Sequence, residues 1–276
     1  MDAAVNIPAL SDLRGLWRRS LILWPDGRRD TTTSVHWLQG PSLFVDFRCP
    51  AWRPDMTWAR CLGDMGWHEL GWLARQEGFA GRLDFDGHAH EWLRDMDFQP
   101  ASAVPDAGRL RLVGDMMIEE GIASRYVEHW HREGEAAPCA ALRLKERRGD
   151  AVAIVVRVGD AFMYARGRTA RLPAGETLSH CLARCRSIGE ARALLDFEIS
   201  FGIASPPLWT ITRSSLPFRE DHPFQLRSVH GSKRLRSPDV TTEGIPRFRE
   251  WTILEAEGDM DAIVALAAGA QAARRT

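Results

Sequence analysis

Short runs in which apolar and polar residues alternate dominate this chain, and they predict β-strands. In the run from Leu43 to Arg48, Leu43, Val45 and Phe47 fall on one face of a strand, while Asp46 falls on the other. Similar runs, separated by turns rich in glycine and proline, recur in both halves of the chain. Many short strands at regular spacing predict a mainly β protein built as an antiparallel barrel or sandwich.

Two segments differ from this pattern because their periodicity is helical. Residues 179–195 predict an internal helix that Ser179 can cap, and the alanine-rich residues 259–273 predict a C-terminal helix. Small residues at 134–138 predict a domain boundary. The chain of 276 residues is therefore expected to form two tandem antiparallel barrels, residues 1–138 and residues 139–276.

Composition excludes several classes of partner. The 36 basic and 37 acidic residues nearly balance, so there is no basic field to hold nucleic acid or anionic lipid, and neither partner is expected. The first six residues lack the basic and apolar regions of a secretory signal, and no apolar run is long enough for a membrane span. With five scattered cysteines, these features predict a cytoplasmic protein with reduced thiols.

Several short signatures occur in a characteristic order along the chain. They are Phe79-Ala80-Gly81, Trp92, Met96-Asp97, Asp106-Ala107-Gly108, Glu119-Glu120-Gly121, Tyr126-Val127-Glu128-His129-Trp130, Tyr164 to Arg168, and Glu198 to Gly202. Because these signatures occur in this order, the chain resembles a fungal and bacterial family of two-barrel, lipocalin-like proteins. The yeast member of that family is named for association with a casein-kinase-type protein. The resemblance implies two consecutive calycin-like barrels. It implies no catalytic residue and no established function.

Tryptophan is the unusual feature of the composition, with eleven against two tyrosines, and nine of the eleven precede residue 139. Tryptophans that line a barrel suit flat apolar or aromatic ligands. The sequence therefore predicts a cavity in the first barrel that binds a small apolar or aromatic molecule, with Arg18 placed to hold an anionic group. The expected lining is Trp17, Arg18, Trp37, Asp46, Trp92, Tyr126 and Trp130. The competing interpretation is that many of these tryptophans simply fill the core.

Acidic residues inside apolar strands suggest a second function. Asp46, Asp97, Glu120 and Glu128 are such residues, and a carboxylate that is desolvated inside a barrel can act as a general acid or base. The alternative function is a cofactor-free isomerase, lyase or hydrolase in which Asp97, Glu128 or His129 moves a proton. The simpler interpretation is that each acid faces solvent or forms an ion pair, such as Asp46 with Arg48 or Arg18.

Two His-x-His pairs, His88 with His90 and His129 with His131, suggest a metal site. Residues two apart on a strand share a face, so four imidazoles on neighbouring strands could bind zinc or iron. Both pairs lie near predicted strand ends, which favours solvent-exposed histidines, and no metal or other cofactor is expected. A third alternative function is a protein-interaction module that uses a sheet edge or the C-terminal helix, with a homodimer as one form of assembly.

Overall fold

The computed structural model describes residues 7–173, 175–205, 208–229 and 234–263. Within these ranges the protein is mainly β, as predicted, and its strands form two antiparallel sheets. The first sheet ends at Glu133 and the second begins at Cys139.

The first sheet is a closed barrel. Its strands are β1 (Gly15–Leu23), β2 (Arg29–Asp30), β3 (Ser34–Gln39), β4 (Leu43–Cys49), β5 (Glu77–Phe85), β6 (His90–Asp97), β7 (Ala107–Val113), β8 (Met116–Gly121) and β9 (Val127–Glu133). Strand β1 pairs with β3 and also with β9, which closes the ring, while β2 pairs only with the end of β1. A closed sheet leaves its ring strands without a free edge.

The second sheet is a half-barrel. Its strands are β10 (Cys139–Glu146), β11 (Val152–Val158), β12 (Ala161–Arg166), β13 (Glu198–Ser205), β14 (Leu208–Ser214), β15 (Arg227–Ser228), β16 (Arg234–Val240) and β17 (Pro246–Gly258). They lie in the order β14-β13-β12-β11-β10-β17-β16-β15, and in the described residues β14 and β15 do not pair. The predicted pair of antiparallel barrels is thus confirmed as two barrel-like sheets, the second of which is open in the described residues. Pro223 forms an isolated antiparallel β-bridge with Thr210 of β14. Because proline has no N–H group, it cannot continue a ladder of hydrogen bonds along β14.

Four α-helices lie between or beside the strands in the described part of the chain: α1 (Leu10–Leu13), α2 (Trp67–Leu73), α3 (Leu178–Ala183) and α4 (Ile188–Leu195). The described residues also include two 3₁₀ helices, Leu62–Asp64 and Pro217–Arg219. None of them is long and apolar enough to cross a membrane. The prediction of one helix over 179–195 was wrong, because α3 ends at Ala183 and α4 begins at Ile188. Thr177 caps α3 and Ser187 caps α4, while Ser179 lies inside α3.

Residues 261–263 are helical, and the rest of the predicted C-terminal helix lies outside the described residues.

Strand alternation divides the core into a barrel interior and a layer between the sheets. In β3, Trp37 faces the barrel interior and the adjacent Leu38 faces the second sheet. Strand β4 is buried along nearly its whole length for the same reason, with Phe44 inside and Val45 against the second sheet. Each such strand therefore contributes to two cores, and the barrel interior holds part of the predicted ligand-binding set.

Candidate functional site

Aromatic side chains fill one half of the barrel interior. Trp37 lies at the centre, stacked on Trp17 with 6.3 Å between ring centroids, and it meets Trp92 and Trp130 edge-on at 5.6 and 5.8 Å. All four rings are buried. The void beside them measures only ≈ 10 Å³, which is room for about one water molecule. These tryptophans pack against one another, and the void beside them is too small for the flat aromatic ligand that the sequence predicts there.

Charged side chains occupy the other half of the interior. The alternation that brings Trp17 inside β1 also brings Arg19 inside, and it places Asp46 and Arg48 after Phe44 on β4. Arg19 Nη1 lies 2.6 Å from Glu128 Oε1, and Arg48 Nε donates to Asp46 Oδ1 at 2.8 Å. Buried charges of opposite sign are thus placed in pairs, as the low dielectric of a protein interior requires.

A second group of ion pairs covers the open end of this charged half. Arg94 Nη1 donates to Asp97 Oδ1 at 2.8 Å, and Nη2 donates to Asp106. The guanidinium of Arg94 also lies 3.5 Å from the centroid of the Phe79 ring. The guanidinium group of Arg94 is therefore fixed by two carboxylates and by the Phe79 ring against which it packs.

A polar cavity of ≈ 180 Å³ opens beside these groups. Its wall is formed by Ile22, Arg48, Arg94, Ser102, Val104, Pro105, Asp106, Ala107, Ser124, Tyr126 and Glu128. Two guanidinium groups and two carboxylates thus face the same space. Residues 102–105, in the loop between β6 and β7, supply one side of the wall.

Arg48 is the cavity charge with unused hydrogen-bonding capacity. Its Nε donates to Asp46, but within the described part of the chain its two terminal nitrogens donate to no side chain or backbone oxygen. The other three charges on the wall are engaged, because Arg94 holds Asp106 and Glu128 holds Arg19. A guanidinium has five N–H donors arranged as a fork, so Arg48 presents a free edge to the cavity.

Glu119 lies beneath the cavity and is a buried acid without a cationic partner in the described residues. Its Oε1 accepts from the Tyr126 hydroxyl at 2.7 Å, and its Oε2 accepts from Trp130 Nε1 at 3.0 Å. Burial, and then the negative charge of Glu128, raise the pKa of Glu119 well above its ordinary value. Its surroundings therefore favour the protonated form of this carboxyl group.

The structure brings together only part of the predicted ligand-binding set. Asp46, Tyr126 and the four tryptophans lie in or beside the barrel interior. Arg18 does not, which corrects the prediction. Its side chain is 49% exposed on the outer face and pairs with Glu133 at 2.6 Å. The reason is strand alternation, because Trp17 faces inward and the inward arginine is therefore Arg19.

The three predicted proton-transfer residues are also separated. Glu128 lies on the cavity wall, whereas Asp97 is paired with Arg94. Burial raises the pKa of Asp97, an effect that the Arg94 charge opposes. His129 lies between the inward-facing Glu128 and Trp130, so it points away from the interior. Glu128 is the member of this set that reaches the cavity.

The four histidines do not converge. His90 is buried, with its Nε2 3.0 Å from the carbonyl of Pro8, while His88 is exposed in the preceding turn. His131 Nε2 lies 2.9 Å from Ser20 Oγ on the outer side of β1 and β9. Among the described residues, no three histidine, cysteine or acidic side chains form a group that could hold a metal ion.

Sequence reasoning missed Arg19, Arg94, Asp106 and Glu119. It selected Glu120, the neighbour of Glu119, whose side chain is 52% exposed and lies 3.8 Å from Arg111 on the outer face. An error of one residue exchanges the two faces of a strand. The apolar residue Met117 could have identified the inward face of β8, because it lies two residues before Glu119 and shares that face.

Comparison with known proteins supports the fold alone. No protein-family model matches the chain, and no curated protein matches it. Among solved structures, the crystal structure of the uncharacterized protein YLR301w from Saccharomyces cerevisiae is similar, with a TM-score of 0.51. That likeness covers 88% of this chain and 98% of the yeast chain at 9% sequence identity. At this level of identity, the comparison shows that the two chains share a barrel fold.

Proposed function

We propose that the first barrel binds a small carboxylic acid bearing a hydroxyl or carbonyl group, in the polar cavity beside Arg48. The observation that carries this proposal is the free guanidinium edge of Arg48 on the wall of a ≈ 180 Å³ cavity. A guanidinium fork matches a carboxylate with two parallel hydrogen bonds. The Tyr126 hydroxyl and the Asp106 and Glu128 carboxylates on the same wall can donate hydrogen bonds to a polar ligand or accept them from it.

This proposal changes the chemistry predicted from the tryptophans. Because the aromatic half of the interior is filled, a flat apolar molecule has no space there. The Tyr126 hydroxyl and the Asp106 carboxylate favour a ligand with polar groups at both ends. The tryptophans support the cavity from below and do not line it.

Calorimetric titration with lactate and pyruvate tests the proposal, with 1-naphthoate as the apolar aromatic probe. We expect lactate or pyruvate to bind and 1-naphthoate not to bind. Arg48→Lys retains a positive charge for Asp46 but lacks the fork, so we expect affinity to fall at least about tenfold, the scale of one lost hydrogen bond between charged groups. Arg111→Lys, on the outer face, is the matched control and should leave affinity unchanged.

Two results would oppose the proposal. Binding of 1-naphthoate in preference to the small acids would restore the apolar-ligand hypothesis. Equal affinity of Arg48→Lys and the parent protein for the small acids would remove Arg48 from the site.

Two broader expectations remain proposals of the same kind. We propose a distant relationship to the two-barrel, lipocalin-like family, which the shared fold of the yeast protein supports. We also propose a cytoplasmic location, which the five free cysteines support.

A further inference from the structure

Glu119 and Glu128 form a buried pair of acids, and in the described structure only Glu128 makes an ion pair. The two residues are directly opposite each other on β8 and β9, and both are buried in the barrel interior. Arg19 contacts Glu128 at 2.6 Å, whereas Glu119 receives only the neutral donors Tyr126 and Trp130. Two neighbouring carboxyl groups cannot both ionise without strong repulsion, so the proton stays on the member that lacks the arginine.

The backbone around Glu119 is shaped to admit its side chain. Gly108 on β7 lies beside it, and a methyl group at that position would approach Glu119 Cγ to 3.0 Å. The side chain therefore fits against a strand that carries no side chain of its own at this point. Its carboxyl group is consequently held in place, with each oxygen assigned to one donor.

Tyr126 connects this buried acid to the polar cavity. Its hydroxyl lies 2.7 Å from Glu119 Oε1, and the residue forms part of the cavity wall. Burial raises the pKa of Tyr126, so its hydroxyl keeps its proton. A ligand in the cavity therefore contacts the neutral hydroxyl of Tyr126, which is hydrogen-bonded to the protonated Glu119.

Glu128 places a carboxylate on the same wall. Burial raises its pKa, while Arg48 and Arg19 lower it. Because Arg19 holds only one carboxylate oxygen at 2.6 Å, the group retains lone pairs that can accept a proton. The cavity thus contains a base and a neutral hydrogen-bond donor, together with the free edge of Arg48.

We propose that this arrangement catalyses enolisation of the small oxo acid that the cavity binds, with Glu128 as the base and Tyr126 as the donor to the carbonyl oxygen. The inference rests on the proposed function. When the ligand binds, the Tyr126 O–H turns from Glu119 Oε1 to the carbonyl oxygen, and the protonated Glu119 donates to the tyrosine oxygen across the same 2.7 Å contact.

The Glu128 carboxylate takes a proton from the carbon next to the carbonyl, and the C–H electron pair becomes a C=C bond. The carbonyl π pair moves to oxygen, which receives the Tyr126 proton as the Glu119 proton moves to the tyrosine oxygen. The proton on Glu128 then exchanges with solvent, and reversal of the steps returns a solvent-derived proton to carbon, so atoms and charge balance without a cofactor.

Exchange of the methyl protons of pyruvate in D₂O, followed by proton NMR, tests the reaction. We expect the protein to accelerate exchange above the buffer rate. Tyr126→Phe should reduce the acceleration about a hundredfold, the scale seen when one donor to a developing oxyanion is removed. Glu120→Gln, on the outer face next to Glu119, should exchange pyruvate at the parent rate.

Infrared difference spectroscopy tests the role of Glu119, which acts through Tyr126. The spectrum of the parent minus Glu119→Gln should contain the C=O band of a protonated carboxylic acid at neutral pH, and the parent minus Glu120→Gln should not. The exchange rate of Glu119→Gln should also lose the pH dependence that ionisation of the acid pair gives the parent. A Glu119 that is only structural would also give the acid band, but its replacement would leave the pH dependence of exchange unchanged.

The outcomes separate this inference from the proposed function. Pyruvate that binds calorimetrically but is not exchanged faster than in buffer overturns the inference and leaves the binding function intact. Equal exchange by Tyr126→Phe and the parent also overturns it, as does the absence of the carboxylic acid band. Failure of lactate and pyruvate to bind overturns the proposed function, and the inference falls with it.

Discussion

At the scale of single residues, strand register decides which charges enter the barrel. Arg18 and Arg19 are adjacent, as are Glu119 and Glu120, yet only one member of each pair faces the interior. Composition and motif spacing identify such charged pairs in strands. They do not choose between the two faces unless an apolar neighbour fixes the register, as Trp17 does for Arg19.

Replacement of the buried arginine should destabilise the fold strongly. Arg19→Met leaves Glu128 as a buried carboxylate without its 2.6 Å partner, and we expect a loss of about 3–5 kcal/mol in the free energy of unfolding. Arg18→Met removes an exposed ion pair and should cost less than about 1 kcal/mol. Urea unfolding of the two variants measures the difference, and similar losses for both would contradict the placement of Arg19.

The protonated state of Glu119 predicts a pH-dependent stability. In the unfolded chain this carboxyl ionises above a pH of about 4.3, whereas in the folded protein burial, Glu128 and Asp106 raise its pKa, against the opposing effects of Tyr126 and Arg48. Folding then takes up a proton, so the parent loses stability as pH rises, by up to about 1.4 kcal/mol per pH unit. Glutamine has no proton to exchange, so Glu119→Gln should gain stability relative to the parent as pH rises above about 5.

Unfolding by urea at four pH values in this range checks the sign. Glu120→Gln is the control and should remain parallel to the parent, because its side chain is exposed. A constant difference between Glu119→Gln and the parent would mean that Glu119 is already ionised in the folded protein.

At the scale of elements, capping residues explain why one predicted helix became two. Helical periodicity extends across residues 179–195, but Ser187 accepts a hydrogen bond from the backbone N–H of Glu190 and begins a new helix. The periodicity predicted helical structure in the segment. The periodicity did not show where α3 ends and α4 begins, because serine occurs both inside a helix, as Ser179 does, and at a helix N-cap, as Ser187 does.

Loss of this cap should be measurable. We expect Ser187→Ala to lower the free energy of unfolding by about 1 kcal/mol, since the N–H of Glu190 loses its acceptor. Ser179→Ala, at an exposed position inside α3, should stay within about 0.5 kcal/mol of the parent. A larger loss in Ser179→Ala than in Ser187→Ala would support the single helix predicted from sequence.

At the scale of the whole molecule, a core shared by the two sheets couples the barrel to the half-barrel. Ile199 on β13 is fully buried, and a methyl group placed on Gly78 of β5 would lie 2.5 Å from its Cδ1. The closely spaced β-strands indicated two barrel-like units, whereas the concentration of tryptophan led to the prediction of a cavity at a place where four of these side chains pack against one another. The layer between the units was not predictable, because alternation alone does not show what covers an outer face.

We expect a substitution in this layer to loosen both sheets. Ile199→Ala should reduce the free energy of unfolding by about 2–5 kcal/mol through the cavity it leaves. Hydrogen exchange should then increase in β5 as well as in β13. Ile203→Ala, at a position on β13 that is 41% exposed, serves as the control. Faster exchange confined to the second sheet would show that the two sheets are energetically independent.

The polar site is where sequence prediction fell furthest short. Tryptophan content pointed to the first barrel, and the structure places Asp46, Tyr126 and Glu128 in or beside its interior. The pattern did not show that the tryptophans pack against one another, because their mutual distances depend on strands far apart in sequence. It also missed Arg94 and Asp106, which face the cavity from the loop-side end of β6 and from the turn before β7.

The most direct measurement of the central claim is a two-dimensional ¹H–¹⁵N NMR titration with pyruvate. We expect saturable shifts of the Arg48 Nε–H, which bonds Asp46, and of the Trp130 indole N–H, which bonds Glu119 beneath the cavity. The indoles of Trp209 and Trp251, in the core of the second sheet, should not move. Absence of any shift, or shifts confined to the exposed indoles of Trp52 and Trp58, would contradict a ligand site in the charged half of the barrel.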